Sequence, residues 1–314
     1  MSRYIVRRVI YSLIGVLLVS SLVFALIQLA PGGPTILLGE ELSETDRQEL
    51  MRSMGLDKPM HVRYWRWLVA LFHGDLGFSF TAGESVLAVI MRRLPNTVLL
   101  AGVSLAVSCL IAIPVGIIAA TRRYSIMDYI VTFFSFLGIS MPGVWLALML
   151  ITLFAVKWGL LPSAGMASIG VSSAFYDRLL HLILPTLTLS TGLVGEIARY
   201  ARSAMLNVMS EDYVRTARAK GLAERIVMYR HALRNAMIPV ITVIGGIVSS
   251  LMGGAAITET IFAWPGMGRL VVEAAQSRDY PVVVGVVVVI SILTIGINLI
   301  VDITYGWLDP RVRL

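Results

Sequence analysis

This sequence predicts an all-α membrane protein with six transmembrane helices, on three observations. First, 57% of the 314 residues are hydrophobic and only 14% are charged, where an ordinary soluble domain carries roughly 25% charged residues. Second, uncharged apolar runs recur, each near the length of about 20 residues that a helix needs to cross a bilayer. Third, the basic residues gather at alternate ends of those runs, the pattern that sets membrane orientation. Together they exclude a soluble globule. They assign the net charge of +7 to topology and membrane lipid, with no nucleic acid as partner.

The first span is expected at about 9–30. Val9 to Ala30 is uncharged, and Arg3, Arg7 and Arg8 precede it. The run is longer than the core of a signal peptide, about 7–15 residues, and Pro31-Gly-Gly-Pro34 follows it in place of a small-x-small cleavage site. It is therefore read as a retained span. Residues 31–94 then form an outer segment, nearly neutral, with seven basic and eight acidic residues between Pro31 and Arg93. Ser43-Glu-Thr-Asp46 reads as a helix start. Tyr64, Trp65, Trp67 and Phe72 suit a membrane interface, and His73-Gly-Asp-Leu-Gly77 reads as a turn.

Residues 95–306 hold the remaining spans, at about 97–120, 130–156, 182–204, 237–258 and 281–302. The fourth is the weakest, because His181 and Pro185 interrupt it and Glu196, Arg199 and Arg202 close it. Gly138 with Pro142-Gly143, Gly245-Gly246 and Gly253-Gly254 supply small residues for close packing and possible hinges. Asn96, Ser140 and Asn298 are polar and suit hydrogen bonds between helices. The single cysteine, Cys109, cannot form an intramolecular disulfide and is read as a packing residue. Residues 205–235 form a loop, and 307–314 a tail.

Counting charges by side orients the chain. With the N-terminus inside, the inner pieces hold fifteen basic residues and the short outer loops four: Lys157, Arg178, Arg269 and Arg278. Both termini are expected in the cytoplasm.

Enzyme chemistry leaves no constellation here. The four histidines, at 61, 73, 181 and 231, lack zinc-ligand spacing, and there is no cysteine pair, GxSxG sequence or phosphate-binding Gly-Lys loop. No catalytic residue and no metal ligand is assigned. An ion-coupled carrier keeps ionisable residues near the bilayer midplane, and spans one, two, three and five have none. Glu196 and Arg199 share a helix face and could pair. Energy for transport is expected from another polypeptide.

The loop has a second property. Leu222, Ile226, Tyr229, Leu233 and Met237 fall at helical spacing, while Arg215, Arg218, Arg225, Arg230 and Arg234 mostly avoid that stripe. Gly221 divides it, predicting two short helices. An anionic lipid surface, a solvated topology signal and a groove on a cytoplasmic partner all fit such a segment.

Asp212-Tyr-Val-Arg-Thr-Ala-Arg-Ala-Lys-Gly221 and Arg230-His-Ala-Leu-Arg-Asn-Ala236 resemble the cytoplasmic signature of ABC importer permeases, in the dipeptide/oligopeptide/nickel branch. Where the general signature opens Glu-Ala-Ala, this chain has Arg215-Thr216-Ala217, as that branch does. Tyr4-Ile-Val-Arg-Arg8, Leu29-Ala-Pro-Gly32, Gly55-Leu-Asp-Lys-Pro59, Gly74-Asp-Leu-Gly77, Glu259-Thr-Ile-Phe-Ala-Trp-Pro-Gly-Met-Gly-Arg269, Arg278-Asp-Tyr-Pro281 and Leu308-Asp-Pro-Arg311 extend the resemblance along the chain. The long outer segment is similar to that of the first, "B"-type, permease of a pair.

The resemblance implies a type I ABC importer permease fold in the bacterial inner membrane. It implies a second homologous permease subunit, two ABC ATPase subunits that bind ATP and Mg, and a periplasmic or lipid-anchored substrate-binding protein. It implies no cofactor in this chain. It also implies that Arg215, Thr216, Ala217, Gly221, Leu222, Arg230, His231, Arg234 and Asn235 belong to the ATPase-coupling loop, which would swing spans three to five. Dipeptides, oligopeptides, glutathione, opines and nickel chelates are the substrates of similar permeases. No substrate ligand is assigned. A stand-alone secondary carrier is the rival reading.

Overall fold

A computed structural model describes residues 2–29, 57–168 and 175–308. The Ser43–Asp46 helix start, Pro31–Pro34 and the tail beyond Leu308 lie outside the described residues. Five helices are long and apolar enough to cross a membrane, or six if one bent pair forms a single span.

Helix α1 runs Ser2–Leu29. It begins before the predicted Val9 because its basic turn stays helical: Arg7 Nε donates to Tyr11 OH at 2.9 Å. The Arg8 guanidinium pairs with Asp302, near the far end of the chain. Helix α2, Met60–Phe72, follows Pro59. Tyr64 and Trp67 pack on Phe24 of α1, with ring centroids 5.3 and 5.7 Å away. Ser21 Oγ and Tyr64 OH lie 2.6 Å apart. Two short antiparallel strands, β1 (Phe78–Ser79) and β2 (Glu84–Ser85), lead into α3, Val86–Thr121. Ser85 caps α3 by accepting from Ala88 N at 3.3 Å. The helix therefore starts well before residue 94, the predicted end of the outer segment.

The run predicted as one span at 130–156 is broken. Helix α4, Ile126–Ser140, and helix α5, Gly143–Leu150, continued by a π-helical segment Ile151–Lys157, are bent by 98°. Pro142 explains the break. It has no N–H to donate, and its ring pushes Met141 into an extended conformation, φ −77° and ψ 121°.

Helix α6, Phe175–Met209, is the hub, packing along α3, α4, α5 and α9 (Leu233–Gly254). Small residues permit this. Ala101, Ala112, Ala198, Ala201 and Ala236 are buried where α3, α6 and α9 meet. A Cβ on Gly195 would sit 2.4 Å from the Ser135 carbonyl of α4, so the two backbones approach as only glycine allows. The expected Glu196–Arg199 pair is absent among the described residues. Arg199 instead lies 5.6 Å over the Tyr200 ring. Arg202, one turn on, grips the buried Asp128 of α4 through two hydrogen bonds, at 2.6 and 2.8 Å. Between α9 and the last helix, α12 (Tyr280–Leu308), Ser249 Oγ donates to Asn298 Oδ1 at 2.7 Å.

After α9 the chain forms a hairpin of α10 (Ala256–Ile261) and α11 (Met267–Gln276), where the sequence predicted one helix to about 258. This is the Glu259–Arg269 motif. Glu259 is fully buried. Its carboxylate accepts from Thr97 Oγ1 at 2.7 Å and from Arg269 N at 3.0 Å, in the first turn of α11. A helix N-terminus carries positive potential, which suits a buried anion. Thr97 also accepts from Met267 N at 2.7 Å. Asn96 donates to Pro265 O at 2.8 Å, and Trp264, also fully buried, returns a bond to Asn96 O at 2.9 Å. Asn96 thus ties α3 to the turn between α10 and α11, where its polarity within a span suggested a bond to another helix.

Glu259→Ala is expected to lower stability by about 3 kcal/mol, because it strands a buried hydroxyl and a backbone N–H. Thermal unfolding of the purified chain in detergent reads this out, with Glu259→Gln losing less.

Candidate functional site

The 205–235 region folds into a compact, two-faced unit. Helix α7, Asp212–Ala219, follows the last turn of α6. It ends in a cap that explains Gly221. Gly221 has φ +75°, its N–H donates to Arg218 O at 2.9 Å, and Leu222 N reaches Ala217 O at 3.4 Å. That bond pattern needs a left-handed residue, which glycine adopts without steric cost. A one-turn helix α8, Glu224–Ile226, and a π-helical segment, Val227–Ala232, then run into α9.

One face of the unit is buried. Val214, Ala217 and Val227 pack against one another and against Val208 of α6, and Ala232 is also buried. Asn235 Nδ2 donates to Tyr213 OH at 2.9 Å, joining α9 to α7. Arg218 donates twice to Glu224, at 3.2 and 2.7 Å, across the glycine turn. The carboxylate raises the Arg218 guanidinium further above its ordinary pKa. Both groups are solvated, so the pair orients α8 more than it stabilises it.

The other face is open and apolar. Leu222, Ile226 and Tyr229 are 39%, 45% and 62% exposed. Arg225 and Arg230 flank Ile226 and Tyr229 around a groove of about 400 Å³. Three side chains of the predicted stripe therefore point away from the protein, while Leu233 and Met237 are half-buried.

The nine predicted residues divide between these faces. Leu222 and Arg230 are on the open one. Ala217 is in the buried base, Gly221 is the cap, and Asn235 is the tie. Thr216 Oγ1 donates to Asp212 O at 2.8 Å, and Arg215 lies 3.6 Å from Asp212, so both are occupied within α7. His231 is half-buried and Arg234 exposed. The sequence reading missed Val214, Val227, Tyr213 and Glu224. Val214 and Ala217, three apart on α7, carried a legible signal. Val227 did not, because its face depends on the π-turn.

Among the described residues no three His, Cys, Asp or Glu side chains gather to hold a metal. The unit can present a shaped, cationic-rimmed apolar surface to another molecule.

Comparison with known proteins places the chain in a family. Residues 112–314 match the binding-protein-dependent transport system inner membrane component, and residues 1–101 match its N-terminal component. The chain belongs to the binding-protein-dependent transport system inner membrane component family. It is an ABC importer permease subunit, a transport component and not an enzyme. The oligopeptide transport system permease protein AppB of Bacillus subtilis (strain 168) is 42% identical over the whole of both chains. The dipeptide transport system permease protein DppB of Escherichia coli (strain K12) is 40% identical, over 100% of this chain and 99% of its own.

Two solved structures share the fold. The MetNI methionine ABC transporter, in an inward-facing conformation, superposes with a TM-score of 0.56 at 21% identity, over 70% of this chain and 96% of the other. An amino acid ABC transporter, crystallised with histidines, gives 0.55 at 11% identity, over 70% and 94%. The permease therefore has the type I ABC importer fold, in the membrane.

Gly221→Ala is expected to cost about 1 kcal/mol locally, since only backbone conformation opposes the added methyl. Hydrogen exchange at the Leu222 amide should quicken about fivefold, and Gly221→Asn should recover part of the protection.

Proposed function

We propose that this permease carries di- or oligopeptides across the inner membrane, paired with a second homologous permease, and that residues 205–235 dock it onto an ABC ATPase. Two ATPase subunits hold ATP and Mg on the cytoplasmic side, and a periplasmic or lipid-anchored binding protein delivers the substrate. Both termini are cytoplasmic. The names of the AppB and DppB relatives support the substrate class.

One observation carries the docking assignment: the open apolar face of Leu222, Ile226 and Tyr229, raised on a buried base. A topology signal needs arginines but no exposed apolar face. A partner groove needs both, with aromatic and aliphatic anchors at the centre and charges at the rim. The base gives the push a path. Val214, Ala217 and Val227 join α7 to α6, Asn235 joins α7 to α9, and the Asp128–Arg202 pair joins α6 to α4. Closure of the ATPases then moves α4, α6 and α9 as one body.

The test is substitution in the assembled transporter. Ile226→Asp or Tyr229→Ala should cost about 2 kcal/mol of ATPase attachment or more, and lower uptake at least tenfold, with the chain itself still folded. Val214→Asp should unfold the loop instead. Full uptake and full substrate-stimulated ATP hydrolysis with Ile226→Asp would sink the assignment.

A further inference from the structure

A second cavity, of about 510 Å³, lies at the opposite ends of these helices from the 205–235 loop. Its walls include Thr81 of the β1–β2 turn, Arg92 and Arg93 near the start of α3, Glu273 of α11, and Asp279 just before α12. The volume is within the range of small-molecule sites, about 300–1,000 Å³.

The charges in it are unevenly matched. Arg92 pairs with Glu84. Arg93 lies 3.7 Å from Glu273, which also takes a bond from Arg269 Nε at 2.6 Å. Asp279 has no cationic partner among the described residues. It is 2% exposed. Its Oδ2 accepts from Ser79 Oγ at 2.6 Å and from Thr81 N at 3.1 Å, while Oδ1 has no hydrogen-bond partner. A buried carboxylate with an empty acceptor is costly and calls for an explanation. The backbone holds it there under strain: Arg278 takes φ +59°, in the left-handed region, and Asp279 N is tied to Ala274 O at 2.8 Å. Near the mouth, the side chains of Arg92 and Arg93 are 64% and 29% exposed. Their guanidinium groups have more donors than these carboxylates use.

A cavity with an unpaired carboxylate in its wall and two guanidinium groups beside it suits a molecule bearing one ammonium and one carboxylate. We propose that this cavity binds a short zwitterionic peptide, its α-ammonium on Asp279 and its α-carboxylate on Arg92 and Arg93. This deepens, and rests on, the peptide-importer reading. It gives the permease its own contact with free substrate, apart from the binding protein. The arginines attract the ligand, and the buried Asp279 selects for a free amino terminus.

The experiment uses the full-length chain with its partner subunits in lipid nanodiscs, without binding protein. Calorimetric titrations compare dialanine, N-acetyl-dialanine and dialanine amide. Dialanine should bind saturably at millimolar concentration or below. Blocking either terminus should weaken binding about tenfold or more, the loss expected for one charged hydrogen bond. The acetyl penalty should vanish in Asp279→Asn and the amide penalty in Arg93→Gln, with each remaining penalty intact. The comparison of ligands on the unaltered chain stands even if a variant fails to fold.

Equal binding of dialanine and its acetylated form, or no saturable binding, overturns the proposal. So does a result in which dialanine fails to bind but Asp279→Asn weakens stimulation of ATP hydrolysis by the binding protein. Asp279 would then serve the docking of that protein and not free substrate. Peptide uptake by the same complex, with binding protein added, tests the importer reading separately. Uptake without dialanine binding removes only this site. Dialanine binding with its predicted variant effects, but without uptake, supports the site and removes peptide as the transported substrate.

Discussion

A bilayer core offers no hydrogen-bond partners, and the rest of this structure follows from that constraint. Every backbone N–H and C=O at that depth must be satisfied within the protein, so the spans are helices. Where a helix breaks, something must receive the freed groups. At Met141–Pro142 the break comes at a residue that has no N–H to lose. In the α10–α11 hairpin the reversal is stitched by side chains. Glu259 takes the Arg269 N–H, Thr97 takes that of Met267, and Asn96 and Trp264 exchange bonds with backbone carbonyls. The Glu259–Arg269 motif is thus a solution to backbone desolvation. Its buried carboxyl group is held by a helix N-terminus and a hydroxyl, with no cationic partner among the described residues.

The same economy shapes the two ends of the molecule differently. At the 205–235 end the polar groups face water, and apolar side chains are the exposed surplus. Leu222, Ile226 and Tyr229 are held out by a cap at Gly221 and a base at Val214 and Val227. At the other end the surplus is polar and enclosed, in the unpaired Oδ1 of Asp279. An open apolar patch and a half-satisfied buried carboxylate are both features that a self-contained fold avoids. Each is compatible with a partner: a protein surface in one case, a charged small molecule in the other.

Helix α6 links the two ends. Its small residues allow α3, α4 and α9 to lie against it, and Gly195 admits the α4 backbone at Ser135. Arg202 adds a directional lock, since its two donors meet both oxygens of Asp128. Close backbone contact and a bidentate pair resist sliding more than loose apolar packing does. Under the proposed docking, a displacement of the 205–235 unit would pass into several helices together.

Much of this was legible in the residues. The apolar runs, the clustering of basic residues between them and the helical stripe depend on local composition and on a 3.6-residue period, which neighbours in sequence determine. Gly221 as a divider was legible for the same reason, since a helix cap is a local event. The 98° bend was only half legible: Pro142 marked the place, but the angle depends on α5 finding its seat against α6. The unexpected partners lie far apart in sequence. Arg202 met Asp128, Thr97 met Glu259, and Ser79 met Asp279. Which face of Val227 is buried depended on a π-turn, and which stripe residues stay open depended on where α6 ends. Sequence by itself determined which segments are apolar and helical and how charge is distributed between them, because those follow from local hydrophobicity. Tertiary structure alone decided which charges are paired and which surfaces are left without a partner, because pairing is a matter of distance in space.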